Sequence, residues 1–209
     1  DIIREHGAKS SFLGYHGYPA HICTSVNDEI VHGIPGKRRL HDGDIISVDI
    51  GVILDGFNGD SAWTYGVGTI SPEAMLLMEQ TEEALNRAVA AATTGNRLGA
   101  IGHAVESYAR PLGRGIVKDY GGHGIGRAMH EDPHVPNVGS PERGVIMRTG
   151  LTLAIEPMLT NGTDETKTMR DGWTVKTKDG SLSTHFEHTV AVTPEGGRVL
   201  TRRLVPVLE

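Results

Sequence analysis

A chain of 209 residues with a formal charge of −6 is long enough for one sizeable core, but its basic residues are too few and scattered for a nucleic-acid surface. Its single cysteine, Cys23, excludes an internal disulfide and suits a reducing, cytoplasmic setting. No run approaches the roughly 18 to 20 apolar residues of a membrane helix.

No composition break divides the sequence, so residues 1–209 read as a single domain. The chain opens without Met on Ile2-Ile3 among charged residues, like the middle of a helix, so an N-terminal segment is expected upstream. The short basic run Lys37-Arg38-Arg39 reads as a solvated loop. Residues 45–54 are rich in β-branched side chains and end at Asp55-Gly56. A second strand-like run, 57–67, follows, and Asp-Gly between two such runs predicts a hairpin. Ser71-Pro72-Glu73 then opens a helix reaching about Thr93, with Ser as cap, Pro in the first turn and Glu at the positive end. A second helix, about Leu98 to Ala109, places Leu98, Ile101, Val105 and Tyr108 on one face and stops at Pro111.

A Gly- and His-rich segment spans 120–136. Residues 151–159 alternate as a strand, with Pro157 keeping Glu156 extended. Residues 173–177, Asp179-Gly180 and 182–192 read as a second Asp-Gly hairpin, a hint of two related halves. The expected class is α+β, a largely antiparallel sheet covered by helices on one face.

The chemical clue is a set of carboxylates inside apolar strands: Asp49, Glu156 and Glu187. A buried ionised carboxylate costs several kcal/mol unless it is paired with a cation or bound to a metal. A single such acid is usually solvent-facing; three in one small domain are harder to explain that way. A two-residue turn at Asp55-Gly56 sets Asp49 against Ala62 and Gly51 against Asp60. Asp49 and Asp60 are then diagonal neighbours on one face, with Cβ atoms roughly 7–8 Å apart. No Lys or Arg adjoins these acids in their strands, so the cation is expected to be a metal. Oxygen ligands with one imidazole suit Mn, Fe, Co or Zn. Two such ions about 3.5–4 Å apart would share bridging carboxylates. Gly121-Gly122-His123-Gly124 offers the imidazole, its glycines allowing close backbone approach, and His130 follows in Met129-His130-Glu131. His6, His41, His103 and His134 are assigned to surface or core.

The sequence resembles the type I methionine aminopeptidases over essentially its whole length. The resemblance is carried by residues 13–19 and 31–35, by Asp42-Gly43-Asp44 to Asp49, and by Gly59-Asp60. It continues through residues 122–126, Ile155-Glu156-Pro157-Met158, Asp171-Gly172-Trp173-Thr174 and Phe186-Glu187-His188-Thr189, in the family's order. It implies the pita-bread fold, with a curved, mainly antiparallel sheet, helices on its outer face and two pseudo-symmetric halves. It also implies two divalent ions and removal of the initiator methionine from nascent chains, by a monomer working near the ribosome. Asp49 would chelate one metal, His123 and Glu156 the other, and Asp60 and Glu187 would bridge both. His130 would hydrogen-bond the substrate carbonyl and the developing oxyanion, His32 the scissile amide nitrogen, and Glu156 would help move the proton of the attacking water. Phe12, Tyr15, Tyr18, Cys23, His32, Met129 and Trp173 would line the methionine pocket, where a thioether packs well against rings. The family commonly has Cys at Phe12, Phe at Met129, Thr at Gly51 and His at Asn58; these departures alter pocket dimensions and no metal ligand.

Three other readings compete. Prolidases and proline-specific aminopeptidases of the same fold carry a large extra N-terminal domain and other residues after the last Glu, where this chain has His188-Thr189. A non-catalytic peptide-binding relative would lose ligands, and all five are present. A dinuclear phosphoesterase would want several basic residues near the metals, and only Arg127 lies close in sequence to a ligand.

Overall fold

The computed structural model describes residues 1–202. The Ile45–Leu54 and Phe57–Gly66 strands form the expected hairpin, with Asp49 opposite Ala62 and Gly51 opposite Asp60. Asp55 and Gly56 both have positive φ, as a turn with left-handed central residues requires. The Cys23–Val26 strand runs along the other edge of Ile45–Leu54, Cys23 facing Asp49.

The Pro72–Ala91 helix is capped as its sequence predicts, the Ala74 N–H donating to Ser71 Oγ, and it ends two residues short of Thr93. The Gly99–Ala109 helix packs beside it. Leu77, Leu85, Val89, Leu98, Ile101 and Val105 of this pair meet Leu153, Ile155, Leu159, Phe186 and Val190 from the sheets in the largest apolar cluster. The helices thus cover the sheets on the side away from the carboxylates.

The second Asp-Gly hairpin does not form. Val175–Thr177 pairs with Thr166–Thr168 and Glu29–Val31, whereas Ser183–His185 pairs with Met158–Thr160. The turn between them is tied down by its own side chains: Asp179 accepts from the Thr163 and Ser181 N–H groups, and the Thr177 hydroxyl donates to the Ser181 carbonyl. The flanking strands then diverge to either side of the Asn27-Asp28 turn, Thr177 N–H donating to Asp28 O and Ser183 N–H to Asn27 O.

The long strands expected at 151–159 and 182–192 are each broken in the middle. Thr152–Ile155 pairs with His188–Thr193, and Met158–Thr160 pairs with Ser183–His185. Between these ladders lie Glu156-Pro157 on one strand and Phe186-Glu187 on the other. Pro157 has no N–H to give a ladder, so the pairing lapses there. The paired break places Glu156 and Glu187 where the chain passes from one sheet to the next.

Candidate metal centre

Asp49 and Asp60 come from the two strands of the first hairpin, His123 from the short Gly122–Gly124 strand, and Glu156 and Glu187 from the paired break. Glycine on both sides of His123 is a packing requirement: a Cβ at Gly122 would strike the Ala154 carbonyl and one at Gly124 the Asp132 carbonyl. The sequence reading had these glycines making room for a ligand; they make room for the neighbouring strands, which squeeze His123 into place.

The hairpin is stitched to the last Glu by its own backbone. Asp60 N–H donates to Thr189 Oγ1 at 2.9 Å, the Thr189 hydroxyl donates to Asp60 O at 2.8 Å, and Glu187 N–H donates to Ala62 O. Asp60, His123 and Glu187 each bring one donor atom within 4.8 Å of the others. His123 Nδ1 lies 2.8 Å from the Gly124 carbonyl, so that nitrogen carries the proton and donates it. Nε2 is left with its lone pair directed at the acids, 3.9 Å from Asp60 Oδ2 and 3.8 Å from Glu156 Oε1.

The electrostatics are those of a site built for cations. Asp60 and Glu187 are buried, and Asp49, though partly exposed, has its Oδ1 sealed from water. Burial, with the neighbouring carboxylates, pushes Asp49 and Glu187 well above the usual carboxylate range and Asp60 up to about 7. Burial also presses Glu156 upward, but the adjacent imidazoles of His185 and His123 outweigh it and draw the carboxyl down. Among the described residues no Lys or Arg pairs with these acids; the imidazoles of His123 and His185 are their only partners of that kind. Asp49 Oδ1 and Glu187 Oε1 have no hydrogen-bond partner among the described residues. Orphaned buried carboxylate oxygens beside an imidazole lone pair fit divalent metal ions.

The acids floor a cavity of about 140 Å³. Its walls are Phe12, Tyr15, Tyr18, Cys23, Val31, His32, Met129, His130 and Trp173, so every residue singled out for metal, substrate or catalysis borders one space. That volume suits one amino-acid side chain rather than a larger ligand, which needs about 300–1,000 Å³. The aromatic walls are braced edge to face, Tyr18 against Trp173 at 5.0 Å and against Phe12 at 6.4 Å. Phe12 sits where a side chain at position 51 would be: a Cβ on Gly51 would lie 2.5 Å from Phe12 Cε1. Two departures from the family pattern thus compensate for each other.

His130 stacks on Tyr15 with ring centroids 5.2 Å apart, and its Nδ1 is 2.8 Å from the Tyr15 hydroxyl. With Tyr15 donating there, Nε2 carries the ring proton. Burial and nearby His123 hold His130 down to about 4, so it is neutral at pH 7. His32 is one of four non-glycine residues with positive φ among the described residues (φ 60), a strained conformation that collects at functional sites. Burial lowers its pKa as well.

Sequence reasoning missed His185, whose Nε2 is 3.4 Å from Glu156 Oε2 and 3.9 Å from Glu187 Oε2. The signal was present, since His185 lies two residues before Glu187 and strand alternation puts both on one face. Asp171 and Asn58 were missed as positioning residues. Asp171 accepts from the Trp173 and Thr174 N–H groups and from the Thr174 hydroxyl, which sets Trp173 over Tyr18. Asn58 donates to the Gly126 and Arg127 carbonyls and accepts from Ser11, tying the hairpin to the histidine loop.

The model of metallopeptidase family M24 matches residues 1–194. The chain belongs to this family. Use of divalent metal goes with that membership. Within the family, the chain is 54% identical to methionine aminopeptidase 1 of Mycobacterium tuberculosis, the match covering 96% of this chain and 78% of that protein. The crystal structure of the methionine aminopeptidase of Thermotoga maritima superposes with a TM-score of 0.94 at 43% identity, over 97% of this chain and 82% of that one. It has the pita-bread fold. The prolidase of Pyrococcus horikoshii shares the fold at a TM-score of 0.66 and 21% identity, over 87% of this chain and 47% of that one. Among the described residues no helix is long and apolar enough to cross a membrane.

Proposed function

We propose that this chain is a methionyl aminopeptidase that removes the first methionine from nascent proteins and peptides, using two divalent ions of Co, Mn, Fe or Zn. The observation that carries the reading is the convergence of Asp49, Asp60, His123, Glu156 and Glu187 beneath a cavity sized for one side chain and walled by aromatic rings. Asp49 would hold one ion, His123 and Glu156 the other, with Asp60 and Glu187 shared. When bound, the ions supply Lewis-acid polarisation of the scissile carbonyl and the attacking water, and an anchor for the free amine.

The chain's own groups do the rest. Tyr18, Phe12, Cys23 and Met129 form the wall against which an unbranched thioether packs, and Trp173 and Tyr15 close it. His130, neutral and with its proton on Nε2, donates to the carbonyl oxygen as negative charge develops there. His32, held in position by its strained backbone, contacts the scissile nitrogen. Glu156 accepts the proton of the attacking water and returns it to the leaving amine. The same reading has the protein working as a cytoplasmic monomer on chains leaving the ribosome, in keeping with its single, buried cysteine.

The test is a metal titration joined to peptide assays. Protein stripped by chelator should regain cleavage of Met-Gly-type peptides with Co, Mn, Fe or Zn. It should spare peptides that begin with Pro or carry an acetylated amine. Cleavage of X-Pro peptides in preference to Met-Gly would move it to the prolidase side of the family, and failure to bind metal would reject the reading outright.

A further inference from the structure

His185 lies outside the five proposed ligands, yet it is among the most buried histidines of the chain, at 2% exposure. Its main chain is pinned from both sides by Thr64. The His185 N–H donates to Thr64 Oγ1 at 3.0 Å, and the Thr64 hydroxyl donates to the His185 carbonyl at 2.9 Å. Ser47 steadies Thr64 in turn, their hydroxyl oxygens 2.8 Å apart. His185 faces Met158 across the ladder, so its ring reaches over the Pro157 break to Glu156. There Nε2 has no hydrogen bond among the described residues, although it is sealed from water. A buried polar nitrogen left unpaired costs about 1–3 kcal/mol, so a position held this firmly needs a partner.

The nearest candidate is Glu156 Oε2 at 3.4 Å, a few tenths of an ångström beyond an ordinary hydrogen bond. The other oxygen of the same carboxylate, Oε1, faces His123 Nε2 at 3.8 Å. Glu156 therefore lies between two imidazoles, one on each oxygen. Resting on the metallopeptidase reading above, we propose that His185 is a positioning residue for Glu156. Its Nε2–H donates to Oε2 and turns Oε1 toward the metal side, so that Glu156 binds through one oxygen in a fixed orientation. Carboxylate ligands are commonly oriented by such a second hydrogen bond, and losing one typically weakens metal affinity by about 10–100-fold.

The experiment uses the full chain, stripped of metal, as wild type, His185→Leu and His185→Gln. Each is titrated with Co²⁺ alone by calorimetry and visible absorption, melted in chelator, and assayed on a Met-starting peptide. His185→Leu should bind Co²⁺ at least about ten-fold more weakly, with an altered cobalt spectrum and a lower kcat at near-constant KM. Its metal-free form should melt within a few degrees of wild type, because leucine keeps the site filled and only the one long contact to Glu156 is lost. His185→Gln, which still offers an N–H at similar reach, should stay within about three-fold of wild type in affinity and kcat. Wild-type affinity in the Leu variant would overturn the proposal. So would a Gln variant as weak as Leu, which would make the imidazole lone pair itself the ligand. A Leu variant whose melting falls along with its affinity would reduce His185 to a structural role. Wild-type protein that binds no Co²⁺ would overturn the metallopeptidase reading itself, a result distinct from the other three.

Discussion

Replacing Asp60 by Asn removes one negative charge from the buried cluster at nearly constant shape, and the metal-free protein should become more stable for it. Burial and the Glu156 charge raise the Asp60 carboxyl from 3.8 to about 7. Below pH about 4 the aspartate is neutral in both folded and unfolded chains, and the substitution changes little. As pH rises toward 7, the unfolded chain ionises freely while the folded one resists, so wild-type stability is lost across that window. At 1.36 kcal/mol per unit, the advantage of Asn is about 2 kcal/mol at pH 5 and on the order of 4 kcal/mol at pH 8. These are upper limits, because Asp49 shares the same field. His130 and His188, held near 4 mainly by burial, weaken both proteins alike as pH falls, so only the difference between the two reads Asp60. Urea unfolding in chelator at pH 5 and pH 8 measures that difference directly. Adding Co²⁺ at about 100-fold over its dissociation constant should then stabilise wild type by about 2.7 kcal/mol and the Asn variant far less, closing most of the gap between them at pH 8. The Asn variant should also be inactive. If Asn gives no gain at pH 8, or the same gain at both pH values, the cluster is not a site of unresolved negative charge and the metal argument loses its physical basis.

Three further outcomes follow from the same geometry. His130→Ala should lower kcat about 10²–10³-fold, the usual loss for an oxyanion donor, while Co²⁺ affinity stays within a few-fold; loss of metal as the main effect would make His130 a ligand. Gly51→Ala puts a Cβ 2.5 Å from Phe12 Cε1, and overpacking of that kind is worth about 1–3 kcal/mol. The Phe12 ring should shift into the cavity and raise KM for a Met-starting peptide about ten-fold at steady kcat, whereas an unchanged KM would show that the pocket does not extend to Phe12. Asp171→Ala removes the three hydrogen bonds that set Trp173 and Thr174, each worth about 1 kcal/mol net. KM should rise several-fold with metal binding untouched, and peptide titration followed by Trp173 fluorescence would check it.

The legible parts of this chain were those whose causes are local. The first hairpin, with Asp49 opposite Ala62, follows from β-branched runs joined by Asp-Gly and was met residue for residue. The Ser71 cap and the buried face of Gly99–Ala109 follow just as directly from residue type and spacing. The second Asp-Gly signal failed because turn chemistry specifies a reversal but not the strands that will pair beyond it. Asp179 spent its carboxylate on Thr163 and Ser181, and the flanking segments found other partners. The long strands at 151–159 and 182–192 were misread as continuous because residue pattern does not mark the point where pairing passes from one partner strand to another.

The candidate site divides along the same line. Residue type alone singled out carboxylates in apolar strands, since an unpaired buried acid is costly wherever it folds. Distance in space was beyond that reasoning: bringing Asp60 to Glu187 depends on Thr189, 129 residues away, exchanging hydrogen bonds with the Asp60 backbone. The pairing of Phe12 with the bare Gly51 backbone and the aim of His185 at Glu156 are likewise long-range facts. The sequence by itself determined which local elements form and which side chains could not rest in a core without a counter-charge, because those follow from backbone preference and desolvation. Only the tertiary structure decided which of those side chains share one space and which of their oxygens remain without a partner, because contacts between distant segments are set by how whole sheets pack.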